Sequence, residues 1–291
     1  MRDLKIGDIV ARKSYDQDVF FKVTGIRKEG QKNIVTLKGI TYRLEADAPE
    51  EDLIVQPASK VREYRNKCCI LAEKKTRAFM SSRIRQNLKK GYYRSTSKEL
   101  PGKYARPGKI LHIDGDQDYL ETCLNEYRKL ALDIVGEYIP EKKQPSEVYN
   151  LLQKYKPDIL ILTGHDGIIK SGGDYGNINN YRHSKHFVDA VKEARRYDSD
   201  LNGLFIFAGA CQSFYKELIK AGANFASSPN RILIHALDPV YVCRKVAFTG
   251  INKLLSPKDI INDTISGSEG IGGVQSFGKY RDGFPAEPYN N

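Results

Sequence analysis

Two apolar runs in this chain each end on a residue that can do chemistry. Ile159-Leu160-Ile161-Leu162-Thr163-Gly164 leads into His165, and Leu204-Phe205-Ile206-Phe207-Ala208-Gly209-Ala210 leads into Cys211, 46 positions further on. A thiol attacks as the thiolate, and an imidazole beside it can move the proton that the reaction needs. Gln212-Ser213-Phe214 opens a segment predicted to be helical, which would put Cys211 at the positive end of a helix dipole and lower its pKa. The small residues Ala208, Gly209 and Ala210 would let a substrate backbone come close. The pairing points to nucleophilic catalysis, with Cys211 attacking and His165 protonating a leaving amine, a role worth ~10²–10⁴-fold. Backbone N–H groups of Asp166 and Cys211 would be free to hold the oxyanion, each worth about 2.7–4 kcal/mol if well aimed.

Strands must bring these residues together. Short β-rich apolar runs bounded by Gly read as buried strands of a parallel sheet, and reactive groups gather at the carboxyl ends of such strands. From Pro101 the chain keeps this rhythm. Strands are predicted at Lys109–Ile113, Gly136–Ile139, the His165 and Cys211 runs, Asn224–Ser227, Ile232–Ala236 and Lys245–Phe248. Helices are predicted at Tyr119–Val135, Pro145–Tyr155, Ser184–Tyr197, Gln212–Ala221 and Pro257–Ile265. The alternation predicts an α/β fold, a mostly parallel sheet with helices on both faces.

The first part of the chain reads differently. Residues 1–58 are short alternating runs punctuated by Gly7, Gly25, Gly30 and Gly39, the pattern of a small all-β barrel of SH3-like size. Residues 59–100 form a basic, helix-prone arm or linker, and residues 101–291 the α/β domain. The net charge is +11, yet residues 60–109 hold 16 Lys or Arg against three Glu, so this stretch carries the whole imbalance. Tyr92 and Tyr93 within it admit nucleic-acid binding, although a solvated helix accounts for the charge as well. No apolar run approaches the ~18 residues of a membrane helix. MRDLKIGDIV lacks the apolar core of a secretory signal, so a cytoplasmic protein without membrane contact is expected. Five scattered cysteines, Cys68, Cys69, Cys123, Cys211 and Cys243, read as free and mostly buried thiols.

The two reactive ends resemble the caspase-like cysteine peptidases, the clan of gingipains, clostripain, legumain and separase. There an apolar strand ends in His-Gly and a second ends in Ala-Cys. Ala210-Cys211-Gln212 matches the second, and the separation is near the ~50 residues of caspases. Asp166 stands between His165 and Gly167, and Ser213 replaces the caspase Gly. A closer resemblance runs through Lys5–Val10, His112–Asp116, Leu162–Gly167 and Phe207–Ser213. These segments look like the YabG family, sporulation-specific peptidases of spore-forming Bacillus and Clostridium relatives. The resemblance implies a mother-cell enzyme that trims spore coat and other spore proteins, cutting after Arg or Lys, without cofactor or metal. An arginine pocket needs a buried carboxylate. Clostripain-like relatives carry Asp two residues before the Cys, where Gly209 stands here. Asp238, expected to leave a strand beside the Cys strand, is the first candidate, and Asp174 the second. An arm holding Arg77, Arg83, Arg85 and Arg94 would also be open to self-cleavage.

Other readings are weaker. Asp114-Gly115-Asp116-Gln117-Asp118 suggests a calcium loop, but Tyr119 and Asn125 occupy the positions where Gly and Glu are required, so helix capping is preferred. His183 and His186 have no third metal ligand in sight. A glutamine-amidotransferase-like enzyme would place its His after the Cys, and only His235 follows. The alternative from another class is a non-enzymatic spore-assembly or nucleic-acid-binding protein using barrel and arm.

Overall fold

The computed structural model describes residues 4–94, 104–169 and 174–283. Its first element group is a five-stranded antiparallel sheet of β1 (Ile9–Arg12), β2 (Phe20–Glu29), β3 (Lys32–Gly39), β4 (Glu45–Pro49) and β5 (Leu53–Val55), in the order β4-β3-β2-β1-β5. Its alternating residues put Val10, Phe21, Val23, Val35 and Leu37 on one buried face. The connection from β3 to β4, residues 40–44, leaves this sheet and bridges His235 and Asp166 further along the chain.

Helix α1 (Ala58–Arg94) follows, running to Arg94, past the Lys89-Lys90-Gly91 stretch where the sequence reading has it decay. It lies along the body rather than standing free. Ala72 is buried, the Tyr241 hydroxyl donates to the Ala72 carbonyl, and the Lys75 ammonium donates to the carbonyls of Asn262, Asp263 and Thr264. Arg77 is exposed and pairs with Glu73 at 3.2 Å. The side chains of Cys68, Cys69, Arg83, Arg85 and Arg94 lie outside the described ones.

After α1 the chain runs β6 (Tyr104–Arg106), β7 (Ile110–Asp114), α2 (Gln117–Lys129), β8 (Ile134–Tyr138), α3 (Gln144–Tyr155), β9 (Ile159–Thr163), α4 (Ser184–Tyr197), β10 (Phe205–Ala208), α5 (Tyr215–Lys220) and β11 (Phe225–Ser227). It continues with α6 (Asp238–Ala247), β12 (Leu254–Leu255), α7 (Pro257–Ile261), α8 (Gly267–Gly270), β13 (Ile271–Gly273), β14 (Ser276–Phe277) and β15 (Arg281–Gly283). The six-stranded sheet has the order β13-β11-β10-β9-β7-β8, parallel except for β13. Ile159, Ile161, Phe205 and Phe207 face α2 and α6, whereas Leu160, Leu162, Ile206 and Ala208 face α3 and α4. Burial on both faces is why these strands read as unbroken apolar runs. The fold is therefore α/β with helices on both faces, as the alternation predicts. No helix among the described residues is long and apolar enough to cross a membrane.

Three expectations need correction. Lys245–Phe248 is no strand but the end of α6, whose start is set by Asp238-Pro239, with proline in the first turn. A short apolar run buried in a helix has the same pattern as a buried strand. Ile232–Ala236 is likewise not a strand; it makes a single bridge, from His235 to Tyr42. The predicted helix 119–135 stops at Lys129, because Ala131 adopts a left-handed φ of 52° and the chain re-enters the sheet at Ile134.

Candidate active site

β9 and β10 run parallel with Leu162 opposite Ala208, so His165 and Cys211 each lie three residues beyond a paired position. On the other side of β9, β7 pairs Asp114 with Thr163. Chain order reverses at β7, with β8 on one side and β9 on the other, and ligands of α/β sheets bind at the carboxyl ends beside such a reversal. The three strands thus deliver Asp114, His165 and Cys211 to one crevice.

Each loop is fixed by a buried carboxylate. Asp166 accepts from the N–H groups of Gly167 and His183, at 2.8 and 2.9 Å, and from the hydroxyls of Ser184 and Ser213, at 2.5 and 2.8 Å. It ties the His165 loop to the start of α4 and to the Cys211 loop, which accounts for an Asp after the His and a Ser at 213. Burial raises its pKa against the pull of these donors. Glu141, not singled out in the sequence, accepts from the His165 N–H at 2.8 Å. A Cβ on Gly164 would lie 2.3 Å from its Oε1, so only glycine fits above it. Burial also raises the Glu141 pKa.

His165 is fully buried against Tyr119, ring centroids 5.1 Å apart, with Nδ1 3.8 Å from the Asp116 carboxylate. Neither ring nitrogen has a hydrogen-bond partner among the described residues, and burial, followed by Lys38 and Arg43, holds the imidazole neutral. Cys211 is also fully buried; its Sγ accepts from the Ile234 N–H at 3.2 Å. Burial pushes the thiol up to about 12, against the pull of the Ile234 and Arg43 N–H groups. α5 starts only at Tyr215, because Gln212 takes a left-handed φ of 56°, so the expected helix dipole does not reach the sulfur directly. Gly209 has a φ of 105°, and a Cβ there would stand 2.5 Å from Ser227 Oγ. The aspartate that clostripain-like peptidases carry two residues before the Cys would have no room here.

What occupies the crevice is Arg43, from the β3–β4 connection. Its carbonyl oxygen accepts from the Cys211 N–H at 3.1 Å and from the Asp166 N–H at 3.2 Å, the two donors expected at the oxyanion position. Its guanidinium, fully buried, lies 2.8 Å from Asp114, donates to the carbonyls of Ala236 and Gly164, and rests on the Tyr119 ring. Burial alone would raise the Asp114 pKa, yet Arg43 and His112 hold it below the usual carboxylate range. Sequence reading missed Arg43 and assigned Asp114 only to a helix-capping turn. The available signal was Asp114 itself, a carboxylate ending a buried strand and so in need of a cation.

The two carboxylates expected to select arginine lie elsewhere. Asp238 is buried at the start of α6, accepting from the N–H groups of His235, Ile265 and Ser266. Asp174 sits in an exposed turn and accepts from the Gly176 N–H. Asp116 caps α2 by accepting from the Tyr119 N–H. His183 lies 3.6 Å from Glu45, and no cluster of three metal-ligating residues occurs among the described ones. A cavity of about 930 Å³, lined by Thr41, Asp116, Tyr119 and Ala236 among others, opens beside the crevice.

A thiol, an imidazole and two aimed N–H groups at the open end of a parallel sheet suit hydrolysis of an acyl bond, and comparison with known proteins gives the class: the chain is a protease. Residues 5–285 match the family model described as YabG peptidase U57. The chain is 42% identical over 286 residues to the sporulation-specific protease YabG of Bacillus subtilis (strain 168), covering 97% of this chain and 98% of that protein. It belongs to the YabG peptidase family. No solved structure matches it.

Proposed function

We propose that this protein is a cysteine endopeptidase of sporulation, caspase-like in chemistry, that cuts spore coat and other spore proteins after Arg or Lys in the mother cell. Cys211 is the nucleophile and His165 the acid and base. The observation that carries this reading is the convergence of two N–H groups, from separate loops, on one carbonyl oxygen next to the thiol.

On a substrate, the Cys211 sulfur gives its proton to His165 and attacks the carbonyl carbon. The C–O electron pair moves onto the oxygen held by the Asp166 and Cys211 N–H groups. Collapse breaks the C–N bond, and His165 returns the proton to the leaving amine. Water, giving a proton to His165, then hydrolyses the thioester, releasing the acid and restoring the thiol. The preference for a basic residue is supported by the buried crevice beside these donors, which already holds the Arg43 guanidinium against Asp114. The exposed Arg77 on α1 supports self-cleavage in the arm.

Digestion of a peptide library, read by mass spectrometry, tests the assignment. Cuts after Arg by the wild type, absent from Cys211→Ala and His165→Ala, are expected. Cleavage by Cys211→Ala overturns it.

A further inference from the structure

We infer that Thr41–Glu45 is a built-in pseudosubstrate that keeps the enzyme latent, and that Asp114 is the carboxylate selecting arginine in substrates. The inference rests on the cysteine-peptidase reading and deepens it.

The segment is held as a bound peptide would be. The Thr41 carbonyl accepts from the Ala236 N–H at 3.2 Å, and the Glu45 N–H donates to the Asp166 carbonyl at 2.9 Å. Tyr42 bridges His235 and Leu44 bridges Asp166, so both flanks of Arg43 are pinned to the loops that carry the dyad. Backbone pairing for affinity and a side-chain pocket for specificity is how extended peptides dock on sheet edges. An arginine is costly to bury unless its charge and donors are met, and here all its partners belong to the α/β domain. The N-terminal sheet's own packing does not use that guanidinium. Asp114 stands at the reversal of the sheet, where Gly209 leaves no room for the aspartate of clostripain-like relatives.

The same contacts explain why the segment inhibits instead of being consumed. The Leu44 N–H, which would be the leaving nitrogen, donates to the Tyr42 carbonyl at 2.8 Å and so is turned into a tight loop. The Leu44 carbonyl accepts from the Gly39 N–H, and Glu45 begins β4, paired with β3. An amine released there stays beside the thioester and re-forms the bond. Meanwhile Cys211 and His165 have no exposed surface, so a substrate reaches them only when the β3–β4 connection lifts. α1 tethers the N-terminal sheet to the catalytic domain. Cutting this arm turns an intramolecular clamp into a separable inhibitor, lowering its effective concentration.

The full chain tests this in wild type, Arg43→Ala, Arg43→Lys and Arg43→Ala/Asp114→Asn. Two rates are measured: cleavage of a short fluorogenic arginine peptide, and iodoacetamide labelling of Cys211 read by mass spectrometry. Thermal melting checks folding. Arg43→Ala should be labelled and should cleave at least about tenfold faster than wild type, as expected when a covering state is removed. Arg43→Lys, which keeps a cation and spares the fold, should fall between. The double variant should be labelled rapidly yet lose its preference for the arginine peptide over an alanine one. Equal labelling in wild type, Arg43→Lys and Arg43→Ala overturns the latent segment, and an unchanged arginine preference in the double variant overturns the role of Asp114. Faster labelling with no cleavage by any variant would instead sink the peptidase reading while the covering segment stands.

Discussion

The guanidinium of Arg43 meets the carboxylate of Asp114 at 2.8 Å, with neither side chain exposed to solvent. This pair joins the N-terminal sheet to the carboxyl end of the parallel sheet, and it does so inside the crevice that receives His165 and Cys211. Stability and latency therefore share one contact.

Removing one partner of such a pair leaves a buried charge without compensation. Asp114→Ala should destabilise the protein by about 3–5 kcal/mol, and adding Arg43→Met should recover much of that loss. Urea unfolding of the wild type and the two variants checks it. Asp114 also fixes a pH dependence. Its folded pKa lies below its ordinary value of 3.8, so its contribution is present above that pH and is lost as the pH falls through the folded value. Acid unfolding of the wild type should thus steepen below pH 3.8, and less so in the double variant.

Cys211 should be slow to react at neutral pH. With its thiol pushed up to about 12, thiolate is scarce until strongly alkaline conditions, and iodoacetamide labelling should climb with pH rather than plateau near 8. In Arg43→Ala the crevice opens to water, desolvation falls, and the labelling profile should move to lower pH. Rate against pH for the two proteins gives the answer.

Asp166 holds four donors at once, two backbone N–H groups and two hydroxyls. Asp166→Ala leaves them buried and unpaired, at about 1–3 kcal/mol for each group that finds no substitute. The expected result is a large fall in melting temperature together with lost cleavage. A variant that melts like the wild type would refute this role.

Gly209→Asp is expected to fail in both fold and activity. It combines a left-handed φ with a Cβ 2.5 Å from Ser227 Oγ and 2.9 Å from Leu218, and strain plus overpacking cost roughly 2–6 kcal/mol. Soluble yield and melting temperature measure the loss. A stable, active Gly209→Asp enzyme would show that this loop can hold an acid at that position.

The strands that carry the proposed dyad were legible because β9 and β10 are buried on both faces, so their apolar runs are continuous and their ends stand out at His165 and Cys211. Arg43 was not legible. Tyr42-Arg43-Leu44 is an ordinary connection by composition, and its meaning comes only from docking into another domain, a contact with no local period. Ile232–Ala236 misled for a related reason. Its residues are apolar and extended, but the N–H groups of Ile234 and Ala236 serve Cys211 Sγ and the Thr41 carbonyl instead of a strand ladder. Asp238 would face the substrate if that run were a strand, whereas its carboxylate organises the start of α6.

The central claim is that Cys211, aided by His165, attacks a carbonyl presented by arginine. Treating the full chain with an arginyl chloromethyl ketone peptide and mapping the adduct by tandem mass spectrometry tests it most directly. A single adduct on Cys211 is expected, with complete loss of cleavage and much slower formation in Asp114→Asn/Arg43→Ala than in Arg43→Ala. An adduct on another cysteine, or cleavage that persists with Cys211 fully modified, would contradict it.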